Sequence, residues 1–239
     1  MKHPDHRRQQ GGQSAMEFLV ILPVLIFLVF GIIQFALLYQ ARATLNHATL
    51  LAARAGAMHN GDKTDMRTAL ARGMTPLFAM TADTSGYALA FGKAAIEASA
   101  VYSKVEVLNP TSAVLSDFGK PRLDGSAGKE LPNDTLSYRN TAPGTASKIS
   151  VQDANILHVR VTYCARLIVP LIDRILYQTV NASSMSAPGL SADGMSNPFG
   201  TGGDPLVPSC LTSLVGDRRI PIQSEAFVRM QSPFFASNL

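Results

Sequence analysis

From Phe18 to Tyr39 the chain reads FLVILPVLIFLVFGIIQFALLY, with no charge and with Gln34 as its one strongly polar position. A helix rising 1.5 Å per residue needs about 20 apolar residues to cross a hydrocarbon core about 30 Å thick. A soluble helix would also need a polar stripe, which this run lacks. The pattern predicts a transmembrane helix. Past Tyr39 the helical period persists but the apolar face narrows. Leu38, Ala41, Leu45, Ala48, Ala52 and Ala55 recur at steps of three and four, with Arg42, Asn46, His47 and Arg54 mostly off the stripe. Gly56 and the Asn60-Gly61 pair then supply stop signals. A stripe made mostly of alanine admits another backbone at close range, either this chain's own globular part or a second helix in an assembly.

Beyond the stop, residues 64–82 carry Met66, Ala69, Leu70, Met74 and Leu77 at helical spacing, and Pro76 should break or bend that helix. A second short helix is expected from about Ser85, with Leu89 and Ile96 on its buried side, and the methionines read as core fillers. Three stretches alternate with period two. Val101, Ser103, Val105 and Val107 share one face before Asn109-Pro110 ends the run. Leu157, Val159, Val161, Tyr163, Ala165 and Leu167 face one way, with His158, Arg160, Thr162, Cys164 and Arg166 opposite them. Ile220, Ile222, Ala226, Val228 and Met230 make the third face. A small antiparallel sheet packed on the emerging helix gives an α+β fold. The expected organisation is a basic leader at 1–12, a helix at 13–57 and an α+β domain at 58–239. Loop-rich insertions are expected at 119–148 and 181–209, the second of low complexity.

The leader carries Lys2, Arg7 and Arg8 with His3 and His6 against Asp5, which places it on the cytoplasmic side and sends the long remainder across. The net charge of +4 is spread among interleaved acids, so it reads as a solvated surface and not as a nucleic-acid face. Cys164, in the strongest strand, and Cys210, at the end of the second insertion, allow one pairing; a bridge between them and two free thiols both remain open. An extracytoplasmic domain permits the bridge. No phosphate loop, HExxH, CxxC or G-x-S-x-G occurs, and Gly200-Thr201-Gly202-Gly203 reads as a flexible turn. Asp173-Arg174 reads as a surface pair on a short helix. His47 and His59 lack partners at metal-ligand spacing. The expectation is a chain without catalytic activity, cofactor or metal.

Three readings of the N-terminus compete. Ala41-Arg42-Ala43 would suit secretory cleavage, although the apolar run exceeds the 7–15 residues usual in a signal peptide. An uncleaved anchor, serving as a membrane scaffold or surface-binding protein, is the second. The third rests on Gly12, with Glu17 five residues on and Phe18 after it, a pattern that resembles type IV prepilins. That resemblance implies a cut between Gly12 and Gln13 by a prepilin peptidase, leaving Glu17 fifth in the shortened chain. A carboxylate at the hydrocarbon edge is costly when unpaired. In the first turn it would meet the positive end of the helix dipole, and a neighbouring subunit's new amine could partner it.

Residues 8–57 further resemble the TadE-like family, minor pseudopilins of the tight-adherence (Flp, type IVc) pilus apparatus. The resemblance is carried by Glu17-Phe18, Pro23, Gly31, Gln34, Tyr39 and Ala52-Ala53-Arg54-Ala55, with Gln34 standing where such sequences often have an acid. It implies a pilin-like subunit of the inner membrane with a periplasmic domain, in a cell-adhesion system. Its partners would be other pilins and assembly proteins, and its place in the pilus or at the base of it. Pro23 removes one helical hydrogen bond, which spanning helices tolerate where neighbours satisfy the freed carbonyl.

Overall fold

The computed structural model describes residues 13–81, 83–185, 210 and 217–239. It opens with α1 (Gln13–Met58), 46 residues that continue through Pro23 as one helix. At 1.5 Å per residue α1 is about 69 Å long. Its second half is the spine of an α+β domain. Leu38, Leu45, Ala48, Ala52, Ala53 and Ala57 are buried along it, whereas Ala55, at the end of the expected stripe, is half-buried. Gly56 does not stop the helix; it lies inside it, where an added Cβ would stand 2.2 Å from Met66 Cε and 3.1 Å from Leu157. The stop is Asn60-Gly61, both in the left-handed region at φ 57° and 79°. Gly61 is required twice over, because a Cβ there would also fall 2.1 Å from the Phe234 ring.

α2 (Lys63–Met74) starts at Asp62, whose carboxylate accepts from the Thr64 N–H at 2.6 Å, and ends where Pro76 lies in a single 3-10 turn, Thr75–Leu77. Met66, Leu70 and Met74 are buried, as the spacing predicts. α2 lies close on α1 because Gly73 faces Ala48, where an added Cβ would come within 2.5 Å of the Ala48 Cα. α3 (Thr84–Glu97), capped by Asp83, corrects the expected inner face. Leu89 and Ile96 are 70% and 62% exposed, and the helix docks through Ala90 and Ala94, with Ala98 just beyond it. Small side chains allow the closer approach to α2, and the larger ones turn outward.

The main sheet joins β1 (Ser103–Asn109), β4 (Ile156–Arg166) and β5 (Arg219–Arg229) in the order β1-β4-β5, all antiparallel. Val161 pairs with Val105 on one side and Ser224 on the other. Leu157, Val159, Val161, Tyr163 and Ala165 of β4, with Ile220, Ile222 and Ala226 of β5, form the buried face against α1. The opposite face is only partly open, since Thr162 and Cys164 are buried. Farther along that face His158 and Arg160 converge on Glu225 at 2.8 and 2.7 Å.

α4 (Ser112–Phe118) follows β1, and the 119–148 stretch is not all loop. It contributes β2 (Lys120–Pro121) and β3 (Lys129–Leu131) to a second sheet, ordered β2-β3-β6, with β6 being Phe234–Phe235. Asp117 pins the end of that stretch by accepting from the Ala146 and Ser147 N–H groups and the Thr145 and Ser147 hydroxyls. Those bonds, the Ser147 backbone bond foremost, lower its pKa to about 2. α5 (Val151–Ala154) leads into β4, and α6 (Ile172–Met185) follows it. Asp173 and Arg174 lie at the start of α6, Arg174 exposed, and Asp173 pairs with Arg218 at 2.5 Å, which ties the helix to the β5 end of the sheet. Most of the second expected insertion, 186–209, lies outside the described residues.

Candidate functional site

The two halves of α1 have opposite surroundings. Between Met16 and Ile33 almost every side chain is exposed and no residue is buried, although the sequence there is nearly all apolar. Gly31 has nothing within 4 Å of a would-be Cβ. Eighteen residues at 1.5 Å give about 27 Å, close to the thickness of a bilayer's hydrocarbon core. Among the described residues α1 is the single helix long and apolar enough to cross a membrane.

At Gln34 the pattern reverses. This residue is fully buried, and its Oε1 accepts from the backbone N–H groups of Ile168 and Val169 at 3.1 and 2.9 Å. It therefore clamps the segment leaving β4 to the last uncovered turn of α1. Among the described residues its Nε2 has no partner, so the working atom is the carbonyl oxygen, which an acid at this position would also supply. The polar interruption visible in the sequence is thus a docking point, not a charge. Gln34→Leu strands two N–H donors and is expected to lower stability by about 2 kcal/mol or more. Gln34→Glu, as the neutral acid, keeps an acceptor and should cost less; chemical denaturation in detergent micelles orders the two.

Above the clamp, α1 is sealed at its far end by the C-terminal strand region. The Ala57 carbonyl accepts from the Gln231 and Ser232 N–H groups, each at 3.0 Å. Asn60 donates through Nδ2 to the Pro233 carbonyl at 2.7 Å. The domain cannot slide along the helix without breaking contacts at both ends.

The residues singled out from the sequence fall on the uncovered half. Phe18 is 60% exposed, and Pro23 is exposed as well. Glu17 stands fifth in α1, just past the first turn, where the pull of the helix dipole on a carboxylate is already falling off. Gln13 is the first residue of α1, and Gly12 lies outside the described residues. Cys164 and Cys210 are not on this half: they are bonded to each other, with Cα atoms 5.3 Å apart, and both are buried.

Beside that bridge is a cluster the sequence did not announce. Arg219 donates to both oxygens of Glu97, at 2.6 and 2.9 Å, and to the Cys164 carbonyl at 3.0 Å. Its guanidinium carbon lies 4.1 Å from the centre of the Tyr102 ring, and Tyr163 donates its hydroxyl to Glu97 at 3.1 Å. Burial, reinforced by the Glu97 carboxylate, pushes the Tyr163 hydroxyl above its ordinary range and keeps it a donor. Glu97 and Arg219 are 122 residues apart, so no local signal could pair them. The cluster ties the end of α3 to β4 and β5, which is a structural task.

Among the described residues no group of three or more His, Cys, Asp or Glu side chains could hold a metal ion. The described residues present an uncovered apolar helix on a domain clamped to its other half. No curated protein and no solved structure matches the chain. Residues 12–54, from just ahead of α1 into its buried seam, match the family model for TadE-like proteins, the family that the N-terminal segment resembles.

Proposed function

We propose that this chain is a membrane-anchored structural component of a tight-adherence pilus system, acting as a minor pseudopilin. The observation that carries the reading is the division of α1. A stretch of eighteen residues, apolar but for Glu17, is left uncovered by a domain that grips the remainder, within a segment matching the TadE-like model. An uncovered helix of this kind is stable in lipid, and afterwards among similar helices of neighbouring subunits. The basic leader sets the N-terminus in the cytoplasm and the α+β domain in the periplasm. A prepilin peptidase cuts between Gly12 and Gln13, and Glu17 then registers the packing of one subunit beside the next. The alternative is an uncleaved single-pass scaffold. Secretory release after Ala43 is disfavoured, because it would remove Gln34 and Leu38, both of which the domain buries.

The amino-terminal residue of the protein taken from its native membranes separates these readings. Gln13 is expected; Met1 would favour the uncleaved scaffold, and Thr44 secretion. With Gln13 found, Glu17→Ala should still be cut but should sharply reduce pilus formation, counted by electron microscopy. Undiminished pili would remove Glu17 from the mechanism.

A further inference from the structure

Three large apolar side chains stand uncovered on the segment that Gln34 holds: Ile168 at 65%, Leu171 at 66% and Ile175 at 47% exposure. Their neighbours Leu167, Val169 and Ile172 point inward and are buried, so the segment is well packed on one side and apolar on the other. We propose that this edge of the domain, the turn from Ile168 to Leu171 and the first turn of α6, is seated in the outer leaflet of the membrane that α1 spans. The proposal rests on α1 crossing the bilayer and adds a second membrane contact to it.

Three observations support a lipid occupant. The first is depth. Gln34 lies five residues, about 7.5 Å, nearer the membrane centre than Tyr39. Tyr39 is 76% exposed at the end of the apolar run, and tyrosine favours the headgroup level. The segment clamped to Gln34 then lies about 5–10 Å inside that level, the depth at which amphipathic interfacial helices settle. On α1 itself Ile32, Ile33 and Phe35, which flank the clamp in sequence, are exposed and apolar too.

The second is hydrogen bonding. In hydrocarbon every backbone donor must find a partner within the protein. The Leu167 N–H reaches the Arg218 carbonyl at 2.9 Å, those of Ile168 and Val169 reach Gln34, and Pro170 has no N–H to satisfy. These bonds cover the inner end of the segment only, since the N–H groups of Leu171 and Ile172 have no partner among the described residues.

The third is the turn itself. Leu171 has φ of 72°, in the left-handed region that is strained for a bulky residue. Glycine would remove that strain. A leucine held there with its side chain uncovered gains nothing in water, but gains burial energy in lipid. The next polar residues follow at once: Asp173 is held by Arg218, and Arg174 is exposed at the edge of the apolar patch.

Because both native cysteines are bonded to each other, an introduced cysteine is the only reactive thiol. The full chain carrying Leu171→Cys, or Ile168→Cys in a second preparation, is labelled with an environment-sensitive fluorophore. It is reconstituted in phosphatidylethanolamine–phosphatidylglycerol vesicles. Ile26→Cys, in mid-span, and Tyr138→Cys, at a position 92% exposed on the domain, are the references. Labels at 168 and 171 should be quenched several-fold more by acyl-chain nitroxide lipid, and several-fold less by aqueous iodide, than the label at 138. Iodide quenching equal to that at 138 overturns the proposal. Shielding from both quenchers also overturns it, because protein then covers the face. If the label at 26 escapes lipid quenching, the membrane reading of α1 fails and the seat fails with it; if 26 is quenched and 171 is not, only the seat fails.

Discussion

Arg219→Ala is expected to lower the stability of the domain by about 3–5 kcal/mol, the usual cost of removing one partner from a buried ion pair. Arg219 and Glu97 side chains are 7% and 15% exposed, so water does not replace the lost guanidinium. The bidentate geometry adds to the loss, as does the stranded Cys164 carbonyl. Much of the expected cost is the penalty of leaving Glu97 charged in a dry setting, and not the net worth of the pair. That distinction is testable. Adding Glu97→Gln to an Arg219→Met background removes the stranded charge while keeping an acceptor for the Tyr163 hydroxyl, so part of the stability should return. Equilibrium denaturation of the full-length protein in micelles, followed by near-ultraviolet circular dichroism, gives both numbers. A double variant no more stable than the single one would move the cost from charge to packing around Tyr102 and Tyr163.

The cluster also marks where sequence reading stops. The run that opens α1 was legible because twenty-odd apolar residues without a polar stripe have few alternative homes. β4 was legible because each residue from Leu157 to Leu167 alternates with a more polar one. The faces of α3 were not, since Ala90 and Ala94 are individually too small to stand out and Leu89 and Ile96 are hydrophobic enough to draw the prediction. Close packing selected the alanines for contact, and hydrophobicity alone does not encode that choice. β2, β3 and β6 are two or three residues long and have no period to detect. At the candidate site, the Glu17-Phe18 pattern and the polar break at Gln34 were visible. The partners of Gln34 lie 134 and 135 residues away, beyond any local rule. Such pairings are set by the tertiary fold, and they turn a flagged residue into a working one.

Cys164→Ser combined with Cys210→Ser is expected to cost about 4 kcal/mol, from the chain entropy that a bridge removes from the unfolded state over a separation of 46 residues. The loss should be read as a lowered midpoint in denaturation without reductant. Dithiothreitol should shift the wild type toward the variant and leave the variant unmoved. The bridge and Arg219 share the Cys164 carbonyl, so the losses from the serine pair and from Arg219→Ala should depart from additivity. The same two thiols report the orientation of α1. A disulfide persists in an oxidising compartment and is kept reduced in the cytoplasm. Native membranes treated with a membrane-permeant thiol-alkylating reagent before unfolding should yield protein with neither cysteine modified, and reducing gels should shift its mobility relative to non-reducing ones. Two alkylated thiols would place the α+β domain on the cytoplasmic face. The leader would then lie outside, where neither the positive-inside bias nor a cytoplasmic-side cut at Gly12 could operate, and the pseudopilin assignment would fall.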